Sequence, residues 1–448
     1  MRPDRFFLVA GLLYGLVFVF ATPPFQVPDE PAHFYRAYAV SEGNPSAEAR
    51  EGGLGAVLPA SLEELGSAFK NELAFQPERR IAPEKILRSL VVPLEPERRR
   101  FTDYRTSAQF TPVPYLPQAA GIAVARWLGM PALGLLYAAR LANLVAATVL
   151  IALALRRMPS YPWLMTMLAL TPMALFLRAS VSADTPTIAA AFLLAGTAAR
   201  LAWAGEARGG WGDVAVLTAC SAALCLSKPV YVTLSLLVLL IPAARLPGGR
   251  RAPALLLFGL VTAAAFGVGM ATAGAVDVPV RLDAPVDRDR QIESALAEPL
   301  RVAWIITEDY LRLGRRYVAQ IVGQLGWLDA NLPKPLLWGY AFLLGLLVLL
   351  DARRTVAVSP GQRLLLVLVA LATLALVSAS QYAAWTPYGA DYVEGLQGRY
   401  FIPLAPAAAW IFHSRRFEAD RLDQVLPWLS LVSFAMALWT VLHRYYGV

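Results

Sequence analysis

Two adjacent carboxylates, Asp29 and Glu30, stand in the stretch PPFQVPDEPAHFYRA (23–37), directly after the first apolar run of the chain. Prolines 28 and 31 flank them and forbid that run from continuing through as a helix. Ionisable side chains so close to a bilayer are costly and need partners, which makes them functional candidates. One carboxylate can take a proton from a hydroxyl. A second beside it can position that hydroxyl or, if one is bound, a divalent ion. The structural alternative is that Asp-Glu merely caps the helix beginning near Pro31, where acidic groups suit the dipole. His33, close by, suits an orienting hydrogen-bond partner better than a base.

Further polar residues interrupt apolar runs in the same way. Asp184 lies in RASVSADTPT, where it also reads as a helix cap with proline in the first turn. Lys228 lies in SKPVY, pinched between two apolar runs with almost no loop, and its short tether limits snorkelling to the headgroups. Gln397, Arg399 and Tyr400 lie in GLQGRYFIP, where Arg399 has Asp391 and Glu394 as local ion-pair alternatives. Carboxylates and cations at one membrane depth could bind a phosphate-bearing lipid and activate a hydroxyl. Trp327, Trp338, Tyr382 and Trp385 read as interfacial aromatics. No phosphate loop, zinc-binding helix motif or nucleophile elbow occurs in the sequence, against an ATPase, a zinc protease or a serine hydrolase.

The elements that must position these residues are membrane helices. Of 448 residues 57% are hydrophobic and 16% charged, with mean hydropathy +0.50, so lipid solvates most of the chain. The first run follows Arg2 and Arg5 and has no small-residue cleavage site after it, so it reads as a retained span. Spans are expected near 6–21, 133–155, 161–177, 187–204, 213–227, 229–244, 253–275, 336–350, 362–384, 399–413 and 425–442. The fold class is therefore an all-α polytopic membrane protein of about eleven spans, organised as one domain over residues 1–448.

Short loops with Arg156 and Arg157, Arg208, Arg245, Arg250 and Arg251, Arg353 and Arg354, and Arg415, Arg416 and Arg421 all fall on one face. The positive-inside rule makes that face cytoplasmic. The long connections 22–131 and 276–335 are then external, and residues 34–40 and 115–128 within the first read as interfacial helices rather than spans. Gly-Gly-Arg-Arg at 248–251 reads as a cytoplasmic turn. The net charge of +8 does not point to nucleic acid, because the basic residues punctuate span ends instead of forming a stripe. Cys220 and Cys225 share one apolar run, which argues against a disulfide framework or a thiolate metal site. His33, His413 and His443 are too scattered for a metal cluster.

PPFQVPDEPAHFYRA, TPVPYLPQ (111–118), RASVSADT (178–185), SKPVY (227–231), GWLDANLP (326–333) and GLQGRYFIPLAP (395–406) resemble, in that order, a family of bacterial predicted membrane proteins. That family is largely labelled as a domain of unknown function and is grouped with the GT-C superfamily of membrane glycosyltransferases. The match runs from about residue 20 to about 410, and PDEP and QGRY are its specific parts. GT-C enzymes carry an external first loop with an acidic residue or pair at the active site and interfacial helices. They take sugar from a polyprenyl-phosphate carrier.

The resemblance implies a bacterial inner-membrane enzyme with its active site on the extracytoplasmic face. Asp29 and Glu30 would be its catalytic pair, and TPVPYLPQ its interfacial helix, although Pro112-Val113-Pro114 stands for the usual Pro-Pro-Leu. His33, Arg36, Asp184, Lys228, Tyr231, Gln397, Arg399 and Tyr400 would bind substrate. The implied partners are a polyprenyl-phosphate-linked sugar donor and a glycan or glycolipid acceptor. No cofactor is implied beyond a possible divalent cation. A lipid transporter or flippase should instead show repeat symmetry and charges at mid-depth. A non-catalytic envelope assembly protein could dispense with the acidic pair.

Overall fold

The computed structural model describes residues 1–50, 52–205, 208–247, 251–276 and 285–448. The Gly248-Gly249-Arg250 turn and residues 277–284 of the second long connection lie outside the described residues. Helix α1 (Pro3–Ala21) starts on a proline in its first turn and stops where Pro23 and Pro24 withhold backbone donors.

The connection that follows folds into a cap over the helix ends. It contains α2 (Glu30–Ser41), β1 (Glu48–Arg50), β2 (Gly53–Pro59), α3 (Ala60–Leu73), α4 (Pro83–Ser89), β3 (Arg99–Asp103), α5 (Arg105–Ala108) and α6 (Leu116–Trp127). The three strands form one antiparallel sheet in the order β1-β2-β3, with Val57 opposite Phe101. The described chain is nonetheless mostly helical, as expected of an all-α membrane protein, and this small sheet is an addition to that expectation. GLGAVLP is a short, almost wholly buried strand, and such a run carries no alternation to distinguish it from helix. Helix α6 has 12 residues. It is about 18 Å long against a hydrocarbon core of about 30 Å, too short to cross.

The chain continues through α7 (Ala132–Arg157), α8 (Pro162–Ala169), α9 (Pro172–Arg178), α10 (Asp184–Trp203) and α11 (Trp211–Ser227). A 3₁₀ segment (Pro229–Leu240) and α12 (Arg251–Gly274) come next. The second long connection holds α13 (Arg288–Ala297), α14 (Pro299–Gly323) and a hairpin of β4 (Gln324–Leu325) with β5 (Ala330–Asn331). Then come α15 (Lys334–Leu350), α16 (Pro360–Ala384), a 3₁₀ turn (Gly398–Phe401), α17 (Ala405–Ala409) and α18 (Leu422–Tyr446).

Six helices are long and apolar enough to cross a membrane among the described residues: α1, α7, α10, α12, α16 and α18. The other expected spans are shorter or broken. Residues 161–177 split into α8 and α9 at Thr171, whose hydroxyl caps α9 ahead of Pro172. Residues 399–413 become the 3₁₀ turn, α17 and a second 3₁₀ turn (Trp410–Phe412). Pro229–Leu240 has 12 residues. At the 3₁₀ rise of about 2.0 Å it extends about 24 Å, further than the same residues would as α-helix.

The arginine-bearing turns gather at one end of the bundle. Arg156 lies 3.8 Å from Asp4 at the N-terminus. Arg245 donates to the carbonyls of Leu201 and Gly205, and Arg415 donates to that of Arg354. The cap, the Lys228 reversal and the Gly398–Phe401 turn meet at the opposite end.

Candidate functional site

Four charged side chains from four parts of the chain meet beneath the cap. Asp29 precedes α2 with φ 64°, a left-handed conformation that aspartate tolerates better than most residues, and its side chain makes no cap hydrogen bond. The carboxylate turns toward Arg399, whose Nη2 lies 3.0 Å from Oδ2. Its neighbour Glu30 turns the other way. The left-handed backbone at Asp29 accompanies this divergence.

Asp184 opens α10 from a loop held by buried amides: Asn143 Nδ2 donates to Ser180 O at 2.7 Å, and Gln118 Nε2 to Ser182 O at 3.1 Å. The Asp184 carboxylate pairs with Lys228 through one oxygen and lies 3.5 Å from Arg399 Nε through the other. Lys228 stands at the apex where α11 ends and Pro229 starts the 3₁₀ segment back across the bundle. Its ammonium lies 5.3 Å and 4.9 Å from the ring centroids of Phe110 and Tyr400. Thr111 fixes the cap to this apex by donating to Leu226 O at 2.7 Å.

Arg399 is placed by close backbone packing. The Gly398 amide donates to Gln320 Oε1 of α14 at 2.7 Å, and a Cβ on Gly398 would sit 2.1 Å from Tyr317 O. Only glycine permits that approach. Tyr231 is buried and donates its hydroxyl to Tyr400 O at 2.8 Å.

These residues line one cavity of about 1110 Å³. Asp29, His33, Asp184, Lys228, Tyr231, Gln397, Arg399 and Tyr400 all border it. Gln397 Oε1 is buried without a hydrogen-bond partner, so it is available to a ligand hydroxyl. The far wall is apolar, with Phe266 and Met270 from α12 and Leu376 and Val377 from α16. The charges form the alternating chain Asp29, Arg399, Asp184, Lys228, so both cations are already paired. Any anion that binds either cation must compete with the carboxylates that already pair it.

Two expected site residues lie elsewhere. Glu30 is fully buried and binds Arg140 through both oxygens, at 2.8 and 2.6 Å. It also accepts from the amides of Phe25 and Val181, both at 3.0 Å, and does not line the cavity. Its carboxylate is thus held in the core, apart from the cavity where it was expected to position acceptor or ion. Arg36 is 1% exposed, donates to the carbonyls of Pro45 and Phe110 within the cap, and does not border the cavity. Among the described residues no three His, Cys, Asp or Glu side chains gather to hold a metal ion. The charge cluster does not fit the divalent cation considered from the sequence, since Glu30 is committed to Arg140 and both of the cluster's carboxylates, Asp29 and Asp184, carry cations.

Arg140 was missed as a site support because it sits within an apolar run, yet a lone arginine in YAARLANL is itself the signal of a buried partner. Helix α14 was missed as well. Its charged outer face masked a 25-residue helix that supplies Gln320.

His33 packs beneath Asp29 with Nδ1 2.7 Å from the Tyr115 hydroxyl. Burial pushes its pKa down to about 4, against the opposing pull of Asp29 and Asp184. It is therefore neutral at pH 7 and adds no cation to the cluster. A histidine with a lowered folded-state pKa takes up a proton more readily when unfolded, so its contribution to stability is present above about pH 6.5 and is lost as pH falls toward 4. The gap in melting temperature between the wild type and His33→Gln should narrow as pH falls through that window. An unchanged gap would remove the titration from His33.

No curated protein and no solved structure matches the chain. Its family match covers most of the length, from the first apolar helix to the segment just past the Gly398–Phe401 turn. By that match over residues 12–408, which takes in every residue of the charge cluster, the chain belongs to the DUF2142 family of predicted membrane proteins.

Proposed function

We propose that this chain is a membrane glycosyltransferase of the GT-C kind, moving a monosaccharide from a polyprenyl-phosphate carrier to a cell-envelope glycan or glycolipid. The observation that carries the reading is the cavity itself. An alternating cluster of two acids and two bases lies at one end, and an apolar wall between α12 and α16 extends from it. Such a cavity suits an amphiphile with an anionic head. The five shorter or broken segments also cross in this reading, giving eleven passes. The cap then lies on the extracytoplasmic face of a bacterial inner membrane, opposite the arginine-bearing turns.

The step follows from the charges. The donor phosphate draws Arg399 and Lys228 to itself, which releases Asp29 from its ion pair. Asp29 then takes the proton of the acceptor hydroxyl. The oxygen attacks the anomeric carbon, the bond from that carbon to the phosphate oxygen breaks, and its electron pair leaves with polyprenyl phosphate. Lys228 and Arg399 stabilise that developing charge in a site partly closed to water. Asp184 holds both cations in register, and Gln397 accepts a hydrogen bond from a sugar hydroxyl.

Lys228→Gln tests the anion role. Polyprenyl phosphate binding to purified protein, read by native mass spectrometry, should weaken about tenfold to a hundredfold, the loss of one charge-assisted contact. Lys228→Arg should restore part of it. Equal retention of the lipid by wild type and Lys228→Gln would sink the anion assignment. Absence of sugar transfer by the wild type, given donor and envelope glycan, would sink the activity.

A further inference from the structure

A second group of side chains on the cavity rim takes no part in the charge cluster. Phe75 follows α3 at φ 59°, a left-handed conformation that a bulky residue rarely adopts. Glycine would fit there without strain, yet the position carries a phenyl ring that is 71% exposed. Leu328 borders the same cavity at φ 66°, as does Asp29. Three left-handed non-glycine residues thus edge one cavity, and such strain persists only where the surroundings enforce it.

Around Phe75 and the hairpin that carries Leu328 the enforcing group is Arg444, near the end of α18. Its guanidinium binds Asp329 in the β4–β5 hairpin at 2.9 and 2.6 Å. The same group donates to the carbonyls of Leu73, Gln76 and Arg79, the turn that displays Phe75. One buried side chain therefore ties two distant segments together and sets Phe75 against Trp327, with ring centroids 5.0 Å apart and planes at 55°.

Trp327 donates its indole N–H inward to Phe25 O at 3.3 Å. A membrane-anchoring tryptophan turns that edge to the headgroups. This one instead fixes its edge in protein and borders the cavity, as Phe75 does. Two aromatic rings, with the Lys70 ammonium 5.4 Å from the Trp327 ring centroid as a polar group beside them, match a pyranose ring. Its axial C–H bonds carry slight positive charge and pack on the negative faces, while its hydroxyls reach the polar group.

We propose that Phe75 and Trp327 form a stacking platform for a pyranose of the acceptor glycan, with Arg444 as the positioning residue. That this glycan is the acceptor rests on the transfer reading above; that the platform binds sugar does not. Phe75 comes from the first long connection and Trp327 from the β4–β5 hairpin, elements distinct from α12 and α16, which supply the apolar wall.

The test uses the full chain in nanodiscs with 5-fluorotryptophan, the Trp327 resonance being the ¹⁹F signal absent from Trp327→Phe. Cellopentaose, chitopentaose and maltopentaose are the probes. At least one should shift that resonance. Phe75→Ala should weaken the effect about tenfold, and Phe75→Tyr, which keeps the ring, should preserve it. Arg444→Lys should move the resonance before any sugar is added. No shift with any of the three sugars, or a shift that Phe75→Ala leaves unchanged, overturns the platform. So does selective broadening of the signal by spin-labelled lipid without a response to sugar, which would make the pair a bilayer anchor. Asp29→Asn should keep the sugar-induced shift. If the wild type binds sugar here but transfers none, the reaction fails while the platform stands.

Discussion

Asp29→Asn should lower the rate of sugar transfer by about a hundredfold to ten-thousandfold, the usual range for a positioned base, and leave the protein folded. The substitution is isosteric. Asp29 makes no cap hydrogen bond, and its side chain is 37% exposed toward the cavity, so neither helix α2 nor the core depends on the charge. Arg399 keeps Asp184 as a partner when Asp29 is lost, so no stranded cation results. The measurement compares transfer rates in membranes supplied with a polyprenyl-phosphate sugar and an acceptor, at matched amounts of folded protein. A variant that binds the lipid donor and transfers at an undiminished rate would falsify the base assignment.

Glu30→Ala should act on folding rather than on the chemical step. Glu30 and Arg140 are both fully buried, and the guanidinium also donates to the carbonyls of Val19, Thr22 and Pro23. Removing one partner leaves the other charge unpaired, a loss of about 3–5 kcal/mol. The pair joins the end of α1, the start of α2, the loop before α10 and α7, so its loss loosens the elements that carry Asp29 and Asp184. The double variant Glu30→Met with Arg140→Met should be less damaging than the sum of the two singles, because no unpaired charge remains. Thermal unfolding and monodispersity in detergent distinguish this from a catalytic effect. Should Glu30→Ala melt like the wild type but fail in transfer, Glu30 belongs with the chemistry after all.

The adjacent acids thus take opposite positions, one at the cavity and one in the core, and PDEP alone does not say which is which. Composition and apolar run length determined that the chain is a multi-pass membrane protein, because only helices satisfy the backbone within lipid. Prolines and buried-charge candidates marked where chemistry belongs: Asp29, Asp184, Lys228 and Arg399 were all legible as ionisable groups interrupting apolar runs. The short α6 was legible too, from its length and its prolines. What sequence leaves open is direction and partnership. The left-handed turn at Asp29 sends one carboxylate to the cavity and the next into the core, a choice made by packing at one residue's backbone. The pairings Arg140 with Glu30 and Arg399 with Asp29 and Asp184 span 110, 370 and 215 residues, and no local pattern encodes contacts at that range. The same holds for Arg444, which reads as a basic helix end and proves to join the two segments that display Phe75 and Trp327. The short sheet and α14 were hidden because a buried apolar strand and a charged amphipathic helix leave no span-like signature. Hydropathy is read residue by residue along the chain, whereas a site is made where distant turns converge, and tertiary packing alone decides which charges meet there.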